Sequence, residues 1–424
     1  MCRVFFFILF FISVSLQGQH FSQRKIKRII RKIPAFEQAH IALDIKSLEA
    51  STAVAFYQGA SYMTPASNTK LLTFLASVEN FDSLPALYYQ KQDSIMYFKA
   101  SGYPLLFHPF YPDTLLASFF TQKHHFKYFP AKSVIKAQGQ GWSWDDYSYY
   151  FAAERSPFPL YGNTVLAYGE AHSPQLIPKV FQNGLVQDSL AQSFYRDHKK
   201  NRFYYNPKKW NAQDSLYRPY ITSDSLFIRM LQDEIKRPVD QIKDSLFNPS
   251  WKVLYTHQED LLYRALLQDS DNGVAEALLN MISQDWFNEM NIEKTLDSIQ
   301  SKWKPWLPDP IEWVDGSGVS RYNMVTPQTL IAVLKKIYHE IGWEKIKNYF
   351  PQGSYSGTLK NYSLDNIFAK TGTLRHNHNL SGYWMSPEGN VYVFSIMVNH
   401  FTAPSTEVRN GISLLLQQFQ KKLK

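Results

Sequence analysis

Cysteine is almost missing from this sequence. The chain of 424 residues has one, Cys2, and it precedes the apolar run at the N-terminus, out of place for a lipoprotein cysteine. A mature chain cleaved after that run has no disulfide and no thiol chemistry, although an oxidising compartment would permit bridges. Long hydrophobic runs are also lacking: Val4 to Leu16 is too short to span a bilayer comfortably, and no repeat or low-complexity segment follows. There is no dense basic run and no nucleic-acid motif, so the net charge of +9 reads as general attraction to anionic material, such as a carboxylate-bearing polymer. His-Glu-x-x-His is absent too. His376 and His378, two apart, therefore read as exposed loop histidines, and neither a metal nor another cofactor is expected.

What is present is a large apolar and aromatic content, enough for a globular protein of two or three domains. Arg3 followed by Val4 to Leu16 has the form of a secretory signal, with cleavage expected between Ser15 and Gln19, a signal peptide at residues 1–19 and delivery to the periplasm; a retained anchor is the alternative. Ser22 to Lys32 predicts a basic helix with Ile26, Ile29 and Ile30 on one side. Strands are expected at Ala39 to Ile45, Thr52 to Tyr57, Ile367 to Thr373, Leu380 to Met385 and Val391 to Val398, and a helix at Glu407 to Leu423. The two chain ends thus predict one antiparallel sheet flanked by helices, an α/β (α+β) fold.

The stretch Pro65-Ala66-Ser67-Asn68-Thr69-Lys70 begins a predicted helix whose stripe of Leu71, Phe74, Leu75 and Val78 faces a core. Ser67 is expected in the first turn, where free N–H groups and the helix dipole favour developing negative charge, and Lys70 lies one turn on. Ser-x-x-Lys alone should occur about once or twice by chance in such a chain, so an exposed helix start with a solvated lysine is the plain alternative. Two rarer triplets follow in order, Ser270-Asp271-Asn272 and Lys370-Thr371-Gly372. Together the three form the signature of serine acyl-transferases that act on penicillin and on D-alanyl-D-alanine peptides. About 200 residues separate Ser67 from Ser270, too many for a loop, so an insert of its own fold is expected at residues 81–251 between catalytic segments 20–80 and 252–424, with a smaller unit nested near 170–222.

In this constellation Ser67 is the nucleophile. Lys70 can be its base only when neutral, which needs desolvation or a neighbouring cation, and Lys370 is a candidate for that cation. Ser270 would pass a proton to the leaving amine, with helix N-cap as its structural alternative, and Asn272 would hold Lys70 or the substrate amide. Thr371, Gly372 and Thr373 would lie on a strand edge, where the two threonines hold a terminal carboxylate and the N–H groups of Ser67 and Thr373 form an oxyanion hole. Glu276-Ala277-Leu278-Leu279-Asn280 resembles a deacylation motif of some β-lactamases, but it shares a predicted helix with Ser270 and reads as packing. Asp315-Gly316-Ser317-Gly318 reads as a tight turn.

From about residue 35 onward, the three motifs, Gly141-Trp142-Ser143-Trp144-Asp145-Asp146, Asp315-Gly316-Ser317-Gly318-Val319-Ser320-Arg321 and Gly357-Thr358-Leu359 resemble the class C low-molecular-weight penicillin-binding proteins, the D-alanyl-D-alanine carboxypeptidase/endopeptidase family. The resemblance implies a penicillin-recognising α/β domain, with a five-stranded antiparallel sheet and an all-helical part, split by a large, mainly β insertion. It implies hydrolysis of peptidoglycan stem peptides through an acyl-enzyme, and β-lactams as ligands. By the same resemblance, Asp146, Phe151 and Arg321 contact the free amino and carboxylate of a diaminopimelate side chain, with an interdomain salt bridge between Asp146 and Arg321 as the alternative. Where the family has a further glutamine this chain has Arg375. A β-lactamase or esterase with the same residues, and an inactive wall-binding relative, are the other readings.

Overall fold

The structure, a computed structural model, describes residues 20–170, 172–242 and 250–423. The expected signal at 1–19, Cys2 included, lies outside them.

The chain starts with helix α1 (Gln23–Ile30), then antiparallel strands β1 (His40–Ser47) and β2 (Ala53–Tyr57), and helix α2 (Lys70–Asn80). After a long excursion it returns through helices α3 (Glu259–Leu267), α4 (Asn272–Phe287), α5 (Ile292–Trp303) and α6 (Pro327–Tyr349). Strands β3 (Ile367–Leu374), β4 (Asn377–Met385) and β5 (Val391–Asn399) and helix α7 (Ser405–Gln420) complete it. The five strands form one antiparallel sheet in the order β3-β4-β5-β1-β2, so the two ends of the chain meet between β5 and β1. β3 is an outer strand, bridged on its other side by Gln352 opposite Phe368.

Period-two alternation explains how that sheet is covered on both faces. On β5, Val393 and Met397 enter a core shared with α2, α4 and α6, while Phe394, Ile396 and Val398 enter a second core against α1 and α7. Ile26 and Ile30 of α1 are buried in the second core. In the first, Leu71, Phe74 and Leu75 of α2 are fully buried, each contributing about 1.5–3 kcal/mol of apolar burial.

The excursion carries its own sheets. Pro85–Gln92, Ile95–Ala100, His125–Phe129, Val239–Gln241 and Lys252–Tyr255 form a five-stranded sheet, and two three-stranded sheets lie between residues 164 and 219. Lys252–Tyr255 pairs with Pro85–Gln92, so this sheet runs past the expected boundary at residue 251. A strand's allegiance is set by its hydrogen-bonded partner, which the local pattern does not disclose.

Candidate active site

Ser67 stands on a short 3-10 turn, Ala66–Thr69, and the α-helix begins only at Lys70. This corrects the expectation of a serine inside the first α-helical turn. Ala66 has a left-handed φ of 50°, which breaks the helix before it reaches the serine. The turn is gripped from both sides. Asn379 Nδ2 on β4 donates to the carbonyls of Thr64 and Pro65, 2.9 Å each, and Asn68 Nδ2 donates to Ser381 Oγ at 2.7 Å. Gly372 and Gly318 leave room for it, since a Cβ at either would run into the carbonyl oxygen of Pro65 or Ala66.

Lys70 is fully buried and its Nζ has three partners: Asn272 Oδ1 at 2.6 Å, the Ser317 carbonyl at 2.7 Å and Ser67 Oγ at 3.1 Å. A neutral amine has two protons and one lone pair. Two protons satisfy Asn272 and Ser317, and the lone pair is left to accept the Ser67 proton. Burial pushes the Lys70 pKa down to about 8, against the opposing pull of Asp315, Asp271 and Glu276. Burial is the largest cause of that shift, which is the desolvation that the sequence reading named beside a neighbouring cation.

The Ser317 carbonyl is delivered by a loop that sequence reading took for a plain turn. Asp315 organises it, accepting from the N–H groups of Gly318 at 2.9 Å and Ser320 at 2.7 Å, from Asn323 Nδ2 at 2.7 Å and from Trp142 Nε1 at 2.8 Å. Glu276 accepts the Ser317 N–H at 2.8 Å and lies 3.5 Å from the buried Arg155. Its burial, with Asp315 adding to it, raises the Glu276 pKa. This carboxyl braces the loop beneath the lysine, consistent with its reading as packing.

Ser270 has a left-handed φ of 61°, and the cap of α4 is Asp271, whose side chain accepts from the Val274 N–H at 2.9 Å. Capping therefore belongs to the neighbour, and the Ser270 hydroxyl is free to receive Lys370 Nζ at 2.9 Å. Lys370 also donates to the Thr371 carbonyl at 2.9 Å, and burial with the nearby Lys70 pushes its pKa well down. Asn272 uses its two ends, taking Lys70 on the oxygen and giving Nδ2–H to the Phe151 carbonyl at 2.7 Å. Ser67, Lys70 and Asn272 are thus hydrogen-bonded in one chain, and Ser270 and Lys370 in another.

On edge strand β3, Thr371 donates to Thr358 Oγ1 at 2.9 Å, which explains the Gly357-Thr358-Leu359 stretch. Thr373 is exposed, and its hydroxyl meets His378 Nδ1 at 2.8 Å. His378 is buried on β4 directly opposite Thr373, contrary to the expected loop histidine, because the β3–β4 hairpin is tighter than its polar sequence suggests. His376 is exposed at the tip, as expected.

The insert reaches the site through Phe151, Trp142 and the loop bearing Asp146. Asp146 is raised in pKa by partial burial and by Asp145, and lowered by Arg321, yet the two do not form an ion pair; Arg321 Nε donates instead to Ser143 Oγ at 3.3 Å. A cavity of about 340 Å³ opens beside Ser270 and Asn272, walled by Tyr111, Tyr150, Phe151 and Tyr217. Among the described residues no group of three or more His, Cys, Asp or Glu is placed to hold a metal ion.

The residues missed in the sequence are Asn379, Ser381 and His378, ordinary polar residues whose importance comes from burial across paired strands. The one available signal was Leu380 between Asn379 and Ser381; His378, between Asn377 and Asn379, carried none.

The chain is 22% identical over 470 residues to D-alanyl-D-alanine carboxypeptidase DacB of Haemophilus influenzae, covering 98% of this chain and 96% of that protein. It is 31% identical over 193 residues to penicillin-sensitive carboxypeptidase A of Dictyostelium discoideum, 40% of this chain and 36% of that one. The fold matches the crystal structure of penicillin binding protein 4 (dacB) from H. influenzae with a TM-score of 0.71 at 18% identity, covering 93% of this chain and 99% of that one. The same protein complexed with a β-lactam matches at 0.66 and 17% identity, covering 94% and 99%. The family model for D-Ala-D-Ala carboxypeptidase 3 matches residues 22–84 and 247–419, more than half of the chain and the two segments that carry all three motifs. The break between those segments falls on the insert, whose last strand Lys252–Tyr255 lies just inside the second segment, and the chain belongs to the D-Ala-D-Ala carboxypeptidase 3 (S13) family.

Proposed function

We propose that Ser67 is the acylated nucleophile of a serine-type D-alanyl-D-alanine carboxypeptidase that also acts as an endopeptidase on peptidoglycan cross-links. The observation that carries the assignment is Lys70 Nζ, 3.1 Å from Ser67 Oγ with its other two hydrogen-bonding positions filled by acceptors. At a pKa of about 8, roughly a tenth of Lys70 is neutral near pH 7. That fraction removes the Ser67 proton as Oγ bonds to the carbonyl carbon of the penultimate D-alanine. The N–H groups of Ser67 and Thr373 face the developing oxyanion. As the C–N bond breaks, the Ser270 hydroxyl gives its proton to the leaving nitrogen and is reprotonated by Lys370. Water then attacks the ester carbon and releases Ser67.

Thr373 donates to the terminal carboxylate, with Thr371, whose own proton goes to Thr358 Oγ1, lying beside it; the carboxylate also places negative charge near Lys370 and favours its protonated form. No cofactor enters these steps. β-Lactams, which present a carboxylate beside a strained amide, belong to the same reading, as does export to the periplasm by a cleaved signal at residues 1–19. Among the described residues no helix is long and apolar enough to cross a membrane.

Incubation with penicillin followed by mass spectrometry of the intact protein and its peptides tests the assignment. One adduct on Ser67 is expected, and Ser67→Ala should lose both adduct and peptidase activity. An adduct on another residue would overturn it, and rapid turnover of penicillin without accumulated adduct would favour a β-lactamase.

A further inference from the structure

Behind the exposed Thr373 lies a short buried polar chain that the reaction above does not use. Thr373 Oγ1 meets His378 Nδ1 at 2.8 Å, and His378 Nε2 meets the Tyr362 hydroxyl at 2.6 Å. Thr373 and His378 are cross-strand partners on β3 and β4, and Tyr362 lies in the segment between α6 and β3, its ring tilted only 15° from the imidazole plane with centroids 6.3 Å apart, the end-to-end arrangement of an in-line hydrogen bond. His378 and Tyr362 are 6% and 3% exposed, so water does not set their protons.

The direction of the chain follows from who can give a proton. Burial raises the Tyr362 pKa, so the phenol keeps its proton. Its hydrogen-bonding partner is His378 Nε2, and the opposite arrangement would leave a buried O–H without an acceptor. Burial, helped by the Arg409 guanidinium, pushes the His378 pKa down to about 4, so the ring is neutral above mildly acid pH. A neutral imidazole that accepts at Nε2 carries its proton on Nδ1. Nδ1–H then donates to Thr373 Oγ1, and the threonine's own proton is left pointing to the open edge of the strand.

We propose that His378, with its tautomer set by Tyr362, is a positioning residue that turns the Thr373 hydroxyl into a fixed donor for the substrate's terminal carboxylate. The chain runs Tyr362 O–H to Nε2, Nδ1–H to Thr373 Oγ1, and Thr373 O–H to the carboxylate, each bond polarising the next. A threonine without such backing would spend part of its time donating to a neighbour and presenting only lone pairs, which repel an anion. The inference rests on the reading that Thr373 receives the carboxylate. It concerns selection for free C-terminal peptides over capped ones, through the Thr373 hydroxyl rather than through the Thr373 N–H that serves the oxyanion.

Two measurements test it. In the wild-type protein labelled with 15N-histidine, long-range 1H–15N correlation should show His378 as the Nδ1–H tautomer near neutral pH; an Nε2–H or doubly protonated ring would overturn the proposal without any variant being made. Second, kcat/KM is compared for a peptide ending in D-Ala-D-Ala with a free carboxylate and for the same peptide ended by a carboxamide. His378→Leu should reduce the preference for the carboxylate roughly tenfold, the effect of one charge-assisted hydrogen bond, and His378→Gln should restore part of it through its amide N–H. A wild-type preference that survives His378→Leu would sink the relay alone. No preference in the wild type, with penicillin still acylating Ser67, would sink the carboxylate role of Thr373 itself.

Discussion

Two buried lysines and two serines share this site, and their proton count decides when it works. Lys370 has both burial and Lys70 pressing its pKa down, whereas carboxylates partly restore Lys70 to about 8. On the proposed roles, acylation needs Lys70 neutral and Lys370 charged. That combination is one of the two one-proton arrangements of the pair, and it keeps a constant proportion between the two apparent pKa values. The second-order acylation constant with a β-lactam should therefore rise at low pH, level off and fall again at high pH. In the bound complex the ligand's carboxylate lifts Lys370, so the saturating acylation rate should keep rising through about pH 8 and fall only at higher pH than the second-order constant. Superimposable profiles for the two constants would contradict that lift. That Ser67, Lys70, Ser270, Asn272 and Lys370 come together was legible in the sequence because they fall in three short motifs of characteristic spacing and order. Asn379, Ser381 and His378 were not, since a polar residue in a strand acquires its role from what packs over it.

At the scale of elements, catalysis depends on how closely edge strand β3 lies against the nucleophile turn. A Cβ on Gly372 would strike the Pro65 carbonyl oxygen and stand 3.0 Å from Asn68 N and Oδ1, all parts of the Ser67 turn, and the backbone atoms among them cannot swing aside. Gly372→Ala should cost about 1–3 kcal/mol of stability by overpacking and, by shifting the serine against its oxyanion donors, slow penicillin acylation by about 100-fold. Gly389 offers the contrast. It has a φ of 87° in the hairpin turn, and a Cβ there meets nothing within 4 Å. Gly389→Ala should lower Tm modestly and leave the acylation rate unchanged. Equal acylation losses in both variants would mean that stability, not fit, governs the rate. The sheet strands were readable from period-two patterns to within a few residues: Val391 to Val398 was expected and Val391–Asn399 is found. The 3-10 turn under Ser67 was not, because the stripe of Leu71, Phe74 and Leu75 belongs to the α-helix that follows and says nothing of the left-handed Ala66.

Across the whole molecule, the insert is fastened to the catalytic machinery at its reactive centre. Phe151 binds Asn272, Trp142 binds Asp315, His108 lies 3.5 Å from Asp271, and Arg155 lies 3.5 Å from Glu276. That an insert exists was plain from the spacing of the motifs, but its three sheets, built from strands as short as two residues with parallel and antiparallel pairings, lie below what a local pattern can signal. The same fastening bears on the proposed substrate choice. Asp146 from the insert and Arg321 from the catalytic part are near enough for the guanidinium to lower the carboxyl's pKa without forming an ion pair, and the guanidinium donates to Ser143 Oγ. Two opposite charges kept apart in this way suit a zwitterion, with the guanidinium taking a carboxylate in bidentate fashion and the carboxylate taking an ammonium. Arg321→Ala and Asp146→Ala should each lower kcat/KM for a diaminopimelate-containing pentapeptide by about tenfold or more, and much less for a diacetylated lysine analogue that carries neither charge. Arg375 stands where the family has a glutamine, and its added positive charge should favour the acidic end of the same side chain, so Arg375→Gln should weaken the pentapeptide less than Arg321→Ala does. Equal losses on both substrates for Arg321→Ala and Asp146→Ala would show that these groups serve the joint between insert and catalytic domain rather than the choice of peptide.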